Sequence, residues 1–213
     1  MCGSYLGLNP RHPNICVGIV WYQDKGIFRT IDSIPDTWDI IVIDGRFTGS
    51  KAPDEYSSKD LRDRVKKYKN VTLIDYSGME FQARNQYFER SEGFDILLVI
   101  DSDEWISLFD AEIFYNYVNT LKSGKHTIEV VAKNSWIPRL FIDPFKWRYY
   151  LSHRLLKYDD GAIQNVSHGD SKVNGIETST NDDLRMPEQM KYTEDYQTQL
   201  WAYENNVGLD KLI

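Results

Sequence analysis

Only two cysteines, Cys2 and Cys16, occur in the 213 residues, and neither belongs to a CxxC pair or a Cys/His cluster. Disulfide frameworks and structural zinc sites are built on repeated cysteine spacings, so neither organises this chain, and a reducing, cytoplasmic setting is the simplest expectation. No run approaches the roughly 18 apolar residues of a membrane span. The stretch from Met1 to Asn14 carries Pro10, Arg11, His12 and Pro13 and has no apolar leader core. Positive charge is also short: 25 Lys and Arg stand against 32 Asp and Glu, a formal charge of −7. A nucleic-acid backbone or an anionic membrane surface favours a basic face, so neither is expected as the main partner. Internal repeats, low-complexity tracts and a clear linker are missing too.

What is present is ordinary globular content, 41% hydrophobic and 27% charged, in a length that buries a full core. The expectation is one domain over 1–213 made of two packed halves, 1–105 and 106–213. In the first half short β-branched runs alternate with helical patterns, the signature of βαβ units. Strands are predicted at Ile15 to Tyr22, Asp39 to Asp44, Asn70 to Ile74 and Asp95 to Ile100. Helices are predicted at Gly26 to Ile34, Ser58 to Tyr68, Met79 to Arg90 and Asp110 to Leu121. From Thr127 to Val166 the pattern turns to short strands broken by Pro138, Pro144 and Asp159-Asp160-Gly161, rich in Trp and Tyr. Gly169 to Pro187 is polar and reads as a loop, and Lys191 to Asn206 as a closing helix. The fold class is therefore α/β: a Rossmann-type sheet, mostly parallel, flanked by helices, with a mixed or antiparallel aromatic-rich second half.

One stretch concentrates the chemistry. The apolar run from Phe94 to Ile100 ends in Asp101-Ser102-Asp103-Glu104, three carboxylates within four residues. In open parallel sheets ligands collect just beyond the carboxyl ends of the strands. Clustered carboxylates repel one another, a cost usually offset by a cation. If extended, Asp101 and Asp103 project the same way about 6 to 7 Å apart. Oxygen ligands without thiols favour magnesium or manganese.

As an ordered set, Val17-Gly-Ile-Val20, Ile43-Asp44-Gly45, Ala83-Arg84-Asn85 and the run into Asp101-Ser-Asp103-Glu104 resemble the GT-A fold glycosyltransferases, most of all the large family-two group. The compact length is similar to that of small viral members of this fold. The resemblance covers the first half. It implies a nucleotide-sugar donor, most often a uridine diphosphate sugar, with Mn2+ or Mg2+ on its diphosphate, and a glycan or glycoprotein hydroxyl as acceptor. Carried over by position, it implies that Asp44 meets the base or ribose, that Asp101 and Ser102 face the donor, and that Asp101 and Asp103 ligate the metal. Arg84 pairs with a phosphate, locks a carboxylate near the metal, or makes a surface salt bridge. Gln23-Asp24 after the first strand and Gly45-Arg46-Phe47-Thr48 after the second depart from the family pattern.

In the second half, Arg154-Leu-Leu-Lys157 through Val166-Ser-His168 is similar to a His-bearing segment of some family-two enzymes, which implies His168 as a further metal ligand. The acidic pair Glu194-Asp195 resembles the base at the start of a helix beneath the acceptor, with Asp143 in reserve. Glu104 lines the acceptor pocket or begins a turn, and Trp105 stacks on a sugar or fills core. Trp136, Trp147, Tyr149, Tyr150 and Trp201 supply stacking faces or packing. Three other classes stay open. A nucleotidyltransferase normally shows a Gly-rich basic loop after its first strand, where this chain has Trp21-Tyr-Gln-Asp-Lys-Gly26. A metal-dependent nuclease sits poorly with the acidic balance. A non-catalytic sugar-nucleotide-binding module would keep the site without turnover.

Overall fold

Strand β1, Ile15–Trp21, is buried at every position, and a period of two divides its side chains between two cores. Ile15, Val17, Ile19 and Trp21 face one, and Cys16 and Val20 the other. A strand covered on both faces must be apolar throughout, and this one is. The computed structural model describes residues 12–46, 56–78, 80–121, 124–131, 135–150, 152–157, 163–165 and 172–180.

Around β1 the chain winds as its sequence predicts. Helix α1 (Ile27–Ser33), strand β2 (Asp39–Asp44), helix α2 (Lys59–Val65), strand β3 (Val71–Asp75), helix α3 (Glu80–Glu89) and strand β4 (Ile96–Val99) follow in order. β3, β2, β1 and β4 lie side by side, all parallel. Ile27 and Ile31 of α1, Leu61 and Val65 of α2, and Phe114 and Val118 of helix α4 (Ala111–Val118) cover one face of the sheet. Phe81, Ala83, Tyr87 and Phe88 of α3 cover the other with Phe141, Trp147 and Tyr149. A Cβ on Gly18 would lie 2.7 Å from the Tyr87 ring, so glycine there sets how closely α3 approaches β1.

Beyond β4 the sheet changes sense. Strand β5 (Glu104–Phe109) precedes α4, and strands β6 (Lys125–Val130), β7 (Ser135–Ile142) and β11 (Lys172–Thr180) complete an eight-stranded sheet in the order β3-β2-β1-β4-β7-β6-β11-β5. β7 runs antiparallel to both β4 and β6, β11 is parallel to β6, and β5 is antiparallel to β11. The sheet is thus mixed rather than mostly parallel, because β7 returns antiparallel along β4 and β5 pairs antiparallel with β11 at the edge. A second sheet holds β8 (Arg148–Tyr150), β9 (Ser152–Lys157) and β10 (Ile163–Asn165), all antiparallel, as expected for the aromatic-rich segment.

The predicted loop from Gly169 to Pro187 is corrected: Lys172–Thr180 is a strand inside the sheet. Its Thr, Ser and Asn content reads as loop, yet Val173, Ile176, Thr178 and Thr180 are buried, and threonine's β-branched side chain suits a pleated surface. Gly175 makes the strand fit against α4, with φ +85 and an added Cβ only 2.8 Å from the Phe114 nitrogen. Asp110 caps α4, its carboxylate accepting from the Ile113 N–H at 2.9 Å. Among the described residues no helix is long and apolar enough to cross a membrane. The closing helix expected from Lys191 to Asn206 lies outside the described residues.

Candidate functional site

The carboxyl ends of β1, β2 and β4 meet at one edge of the sheet, and side chains lace their loops together. After β1, the Asp24 carboxylate accepts from the Gly26 N–H at 2.7 Å and from the Ser102 hydroxyl at 2.8 Å, joining that loop to the turn after β4. Gln23, held at φ 56, donates its N–H to the Ser57 hydroxyl at 2.8 Å and accepts from the Ser58 N–H at 3.2 Å. Ser57 in turn donates its hydroxyl to Asp44 at 2.6 Å. Three loops separated in sequence are thereby fixed as one rim.

Asp44 ends β2 with no exposed surface, and its oxygens are engaged by Ser57 and by the Arg62 guanidinium at 2.8 Å. Arg62 also pairs with Asp75 at the end of β3, at 2.5 Å. Burial pushes the Asp44 carboxyl up, and the Ser57 hydrogen bonds and Arg62 only partly oppose it. Asp44, expected to meet a base or ribose, is here held by Ser57 and Arg62.

Asp101 and Asp103 are not extended. The Glu104 N–H donates to the Asp101 carbonyl at 3.0 Å, closing a turn over Ser102 and Asp103, so the two carboxylates do not project in parallel from a strand. The Asp101 side chain, 28% exposed, accepts from Arg84 at one oxygen and from Arg139 at the other, each at 2.9 Å. Arg84 is braced by Glu80 at 2.6 Å, one helical turn earlier, and Arg139 reaches Glu104 at 2.7 Å. The result is an alternating chain of charge, Glu80, Arg84, Asp101, Arg139, Glu104. The Asp101 N–H closes its far end on Glu104 at 3.1 Å. Burial alone would push the Asp101 carboxyl up, but Arg139 and then Arg84 outweigh it and hold it well below the usual carboxylate range. The cost of clustered acid is thus offset by guanidinium. Arg84 thus pairs with two carboxylates, Glu80 and Asp101, and at 11% side-chain exposure it is no surface pair.

Arg139 escaped the sequence reading. Its signal was there: a charge in the apolar strand β7 demands a buried partner, and Leu140 pairs in register with Leu98, which sets Arg139 beside the end of β4.

The metal implied by the resemblance does not fit Asp101, because each of its oxygens already faces a guanidinium and an added cation would meet two like charges. Among the described residues no group of three or more His, Cys, Asp or Glu side chains is placed to hold a metal ion. Asp103 is buried at the turn, and His168, Glu194, Asp195 and Trp201 lie outside the described residues. Asp143 is corrected as a reserve base: its N–H donates to the Asp95 carbonyl before β4, which puts it at the opposite edge of the sheet. The Arg29 guanidinium covers the Trp105 ring at 3.5 Å, so that face is taken, while Trp147 and Tyr149 are core. A cavity of about 230 Å³ also lies at the opposite edge, lined by Pro13, Asp95, Val118, Asn119, Leu121 and Ile142 among others.

No protein-family model matches the chain, and no curated protein matches it. Solved structures do. S. aureus TarS matches at 19% identity and TM-score 0.44, over 57% of this chain and 22% of that one. S. aureus TarS 1-349 in complex with UDP-GlcNAc matches at 19% and 0.41, over 55% and 34%. GalNAc-T7 with UDP, GalNAc and Mn2+ matches at 14% and 0.43, over 73% and 30%. This chain therefore spans about a third or less of the length of the structures it is similar to.

Proposed function

We propose that the chain transfers a hexosyl group from a nucleoside diphosphate sugar, with uridine as the expected base, to a hydroxyl of a glycan or glycoprotein acceptor, and that it works in the cytoplasm. One observation carries this reading. In a protein of formal charge −7, three largely buried guanidiniums, Arg62, Arg84 and Arg139, stand at the sheet edge where the loops after β1, β2 and β4 are tied together. Ligands of open sheets collect at that edge, and the guanidinium fork matches phosphate oxygens. Asp44, Arg84, Asp101 and Ser102, the positions the resemblance singles out, support the same assignment through their contacts at that edge.

In this reading residues 1–105 hold the donor and residues 106–213 present the acceptor. Ser102, held by Asp24, and the Ser57–Arg62 pair, held by Asp44, shape the donor side. Arg84, oriented by Glu80 and Asp101, stabilises negative charge as it builds on the departing diphosphate. Glu194 or Asp195 takes the proton of the attacking hydroxyl. Mn2+ or Mg2+, when bound to the diphosphate, neutralises part of its charge, with Asp103 and His168 as the side chains assigned to face it.

A thermal-shift panel tests the proposal, using uridine, uridine monophosphate and the uridine, adenosine and guanosine diphosphates with Mn2+, Mg2+ or chelator. A ligand that binds only the native state, present at 100 times its Kd, adds about 2.7 kcal/mol of stability. Uridine diphosphate with Mn2+ gives the largest rise in Tm; no rise with any nucleotide contradicts the proposal.

A further inference from the structure

We infer that Asp101 is a positioning residue gripped by two arginines, one from each half of the chain, and that no divalent ion is bound through it. The inference rests on the proposed donor site and departs from the metal role that position implies. Arg84 comes from α3 and Arg139 from β7, 38 residues beyond Asp101, and each takes one of its oxygens at 2.9 Å. The same Arg139 nitrogen serves Glu104, which has no exposed surface. Glu80, Asp101 and Glu104 thus bring three negative charges to the two positive charges of Arg84 and Arg139, and the network is nearly balanced without a cation. Arg139 also keeps a buried Nε with no hydrogen-bond partner. What the arrangement does achieve is a fixed direction for Arg84 and a fixed turn at Ser102 and Asp103.

Two readouts on the full chain decide it. Mn2+ binding is followed by electron paramagnetic resonance as protein is added, without nucleotide and again with uridine diphosphate, for wild type, Asp101→Asn and Asp103→Asn. Mn2+ affinity changed less than about two-fold by Asp101→Asn in the series in which wild type binds the ion is the expected result; a loss of about ten-fold or more in either series overturns the inference. Calorimetry then compares uridine diphosphate with uridine. Asp101→Asn and Arg139→Ala weaken the diphosphate about ten-fold and leave uridine within about two-fold, because what is lost is the aim of Arg84 at phosphate. Equal weakening of both ligands marks general disruption and overturns the positioning role. Should wild type bind neither ligand, the proposed function falls, and the Mn2+ titration still decides whether Asp101 is a metal ligand.

Discussion

The side-chain amide of Asn85 donates to the Tyr149 carbonyl at 3.1 Å and accepts from the Tyr149 N–H at 2.7 Å. A side chain on α3 thereby completes the hydrogen bonding of a residue in β8 as a neighbouring strand would, pinning the aromatic second sheet to the helix that carries Arg84. Asn85→Ala leaves both backbone groups without that partner and costs about 2 kcal/mol, read from urea unfolding. A change below about 0.5 kcal/mol contradicts the role.

Packing of α3 on the sheet gives a second expectation. In Gly18→Ala the new methyl meets the Tyr87 ring at 2.7 Å, in a region where Tyr87 and Phe88 are fully buried. Overpacking of this kind destabilises by about 1–3 kcal/mol. The measurement is the unfolding midpoint, and an unchanged midpoint would show that α3 gives way freely.

The arginine grip on Asp101 has a pH signature. Its carboxyl is depressed in the native state, so the stability it contributes is fully present above the unfolded value of about 3.9 and is lost as pH falls through the lower native value. Asp101→Asn is therefore less stable than wild type by roughly 3 kcal/mol at pH 7. Urea unfolding of both chains across the acid limb shows the gap shrinking below about pH 4. A gap that stays constant at the lowest pH where both chains fold would contradict the ion pairs.

Cys16 offers a check on the core. Its thiol is fully buried in β1, and burial, with the nearby Asp39 carboxylate, pushes its pKa up. Thiolate is the reactive form, so Cys16 is left unmodified by a thiol reagent in the native protein and is labelled on unfolding. Peptide mass spectrometry of native labelled protein reads it directly, and rapid modification of Cys16 would mean that β1 is open.

The first half of the fold was legible because each strand is a short β-branched run and each helix shows its apolar spacing. The four strands and four helices stand within a few residues of their predicted bounds. The rest was hidden for two reasons. β11 buries threonine as if it were valine, and its composition reads as a loop until the sheet around it is known. At the site, the sequence places Asp44, Arg84, Asp101 and Ser102 on one rim, but which group satisfies a carboxylate depends on contacts across 38 residues, as between Asp101 and Arg139. A cation and an arginine answer the same electrostatic demand, and strand register alone tells them apart.

A rim that receives a nucleoside diphosphate moves its own backbone amides when isotope-labelled protein is titrated with uridine diphosphate. The expected shifts concentrate at Gln23, Gly26, Gly45, Ser57, Ser102 and Asp103. Shifts confined to the cavity around Asp95, Asn119 and Ile142, or none at saturating nucleotide, would contradict it.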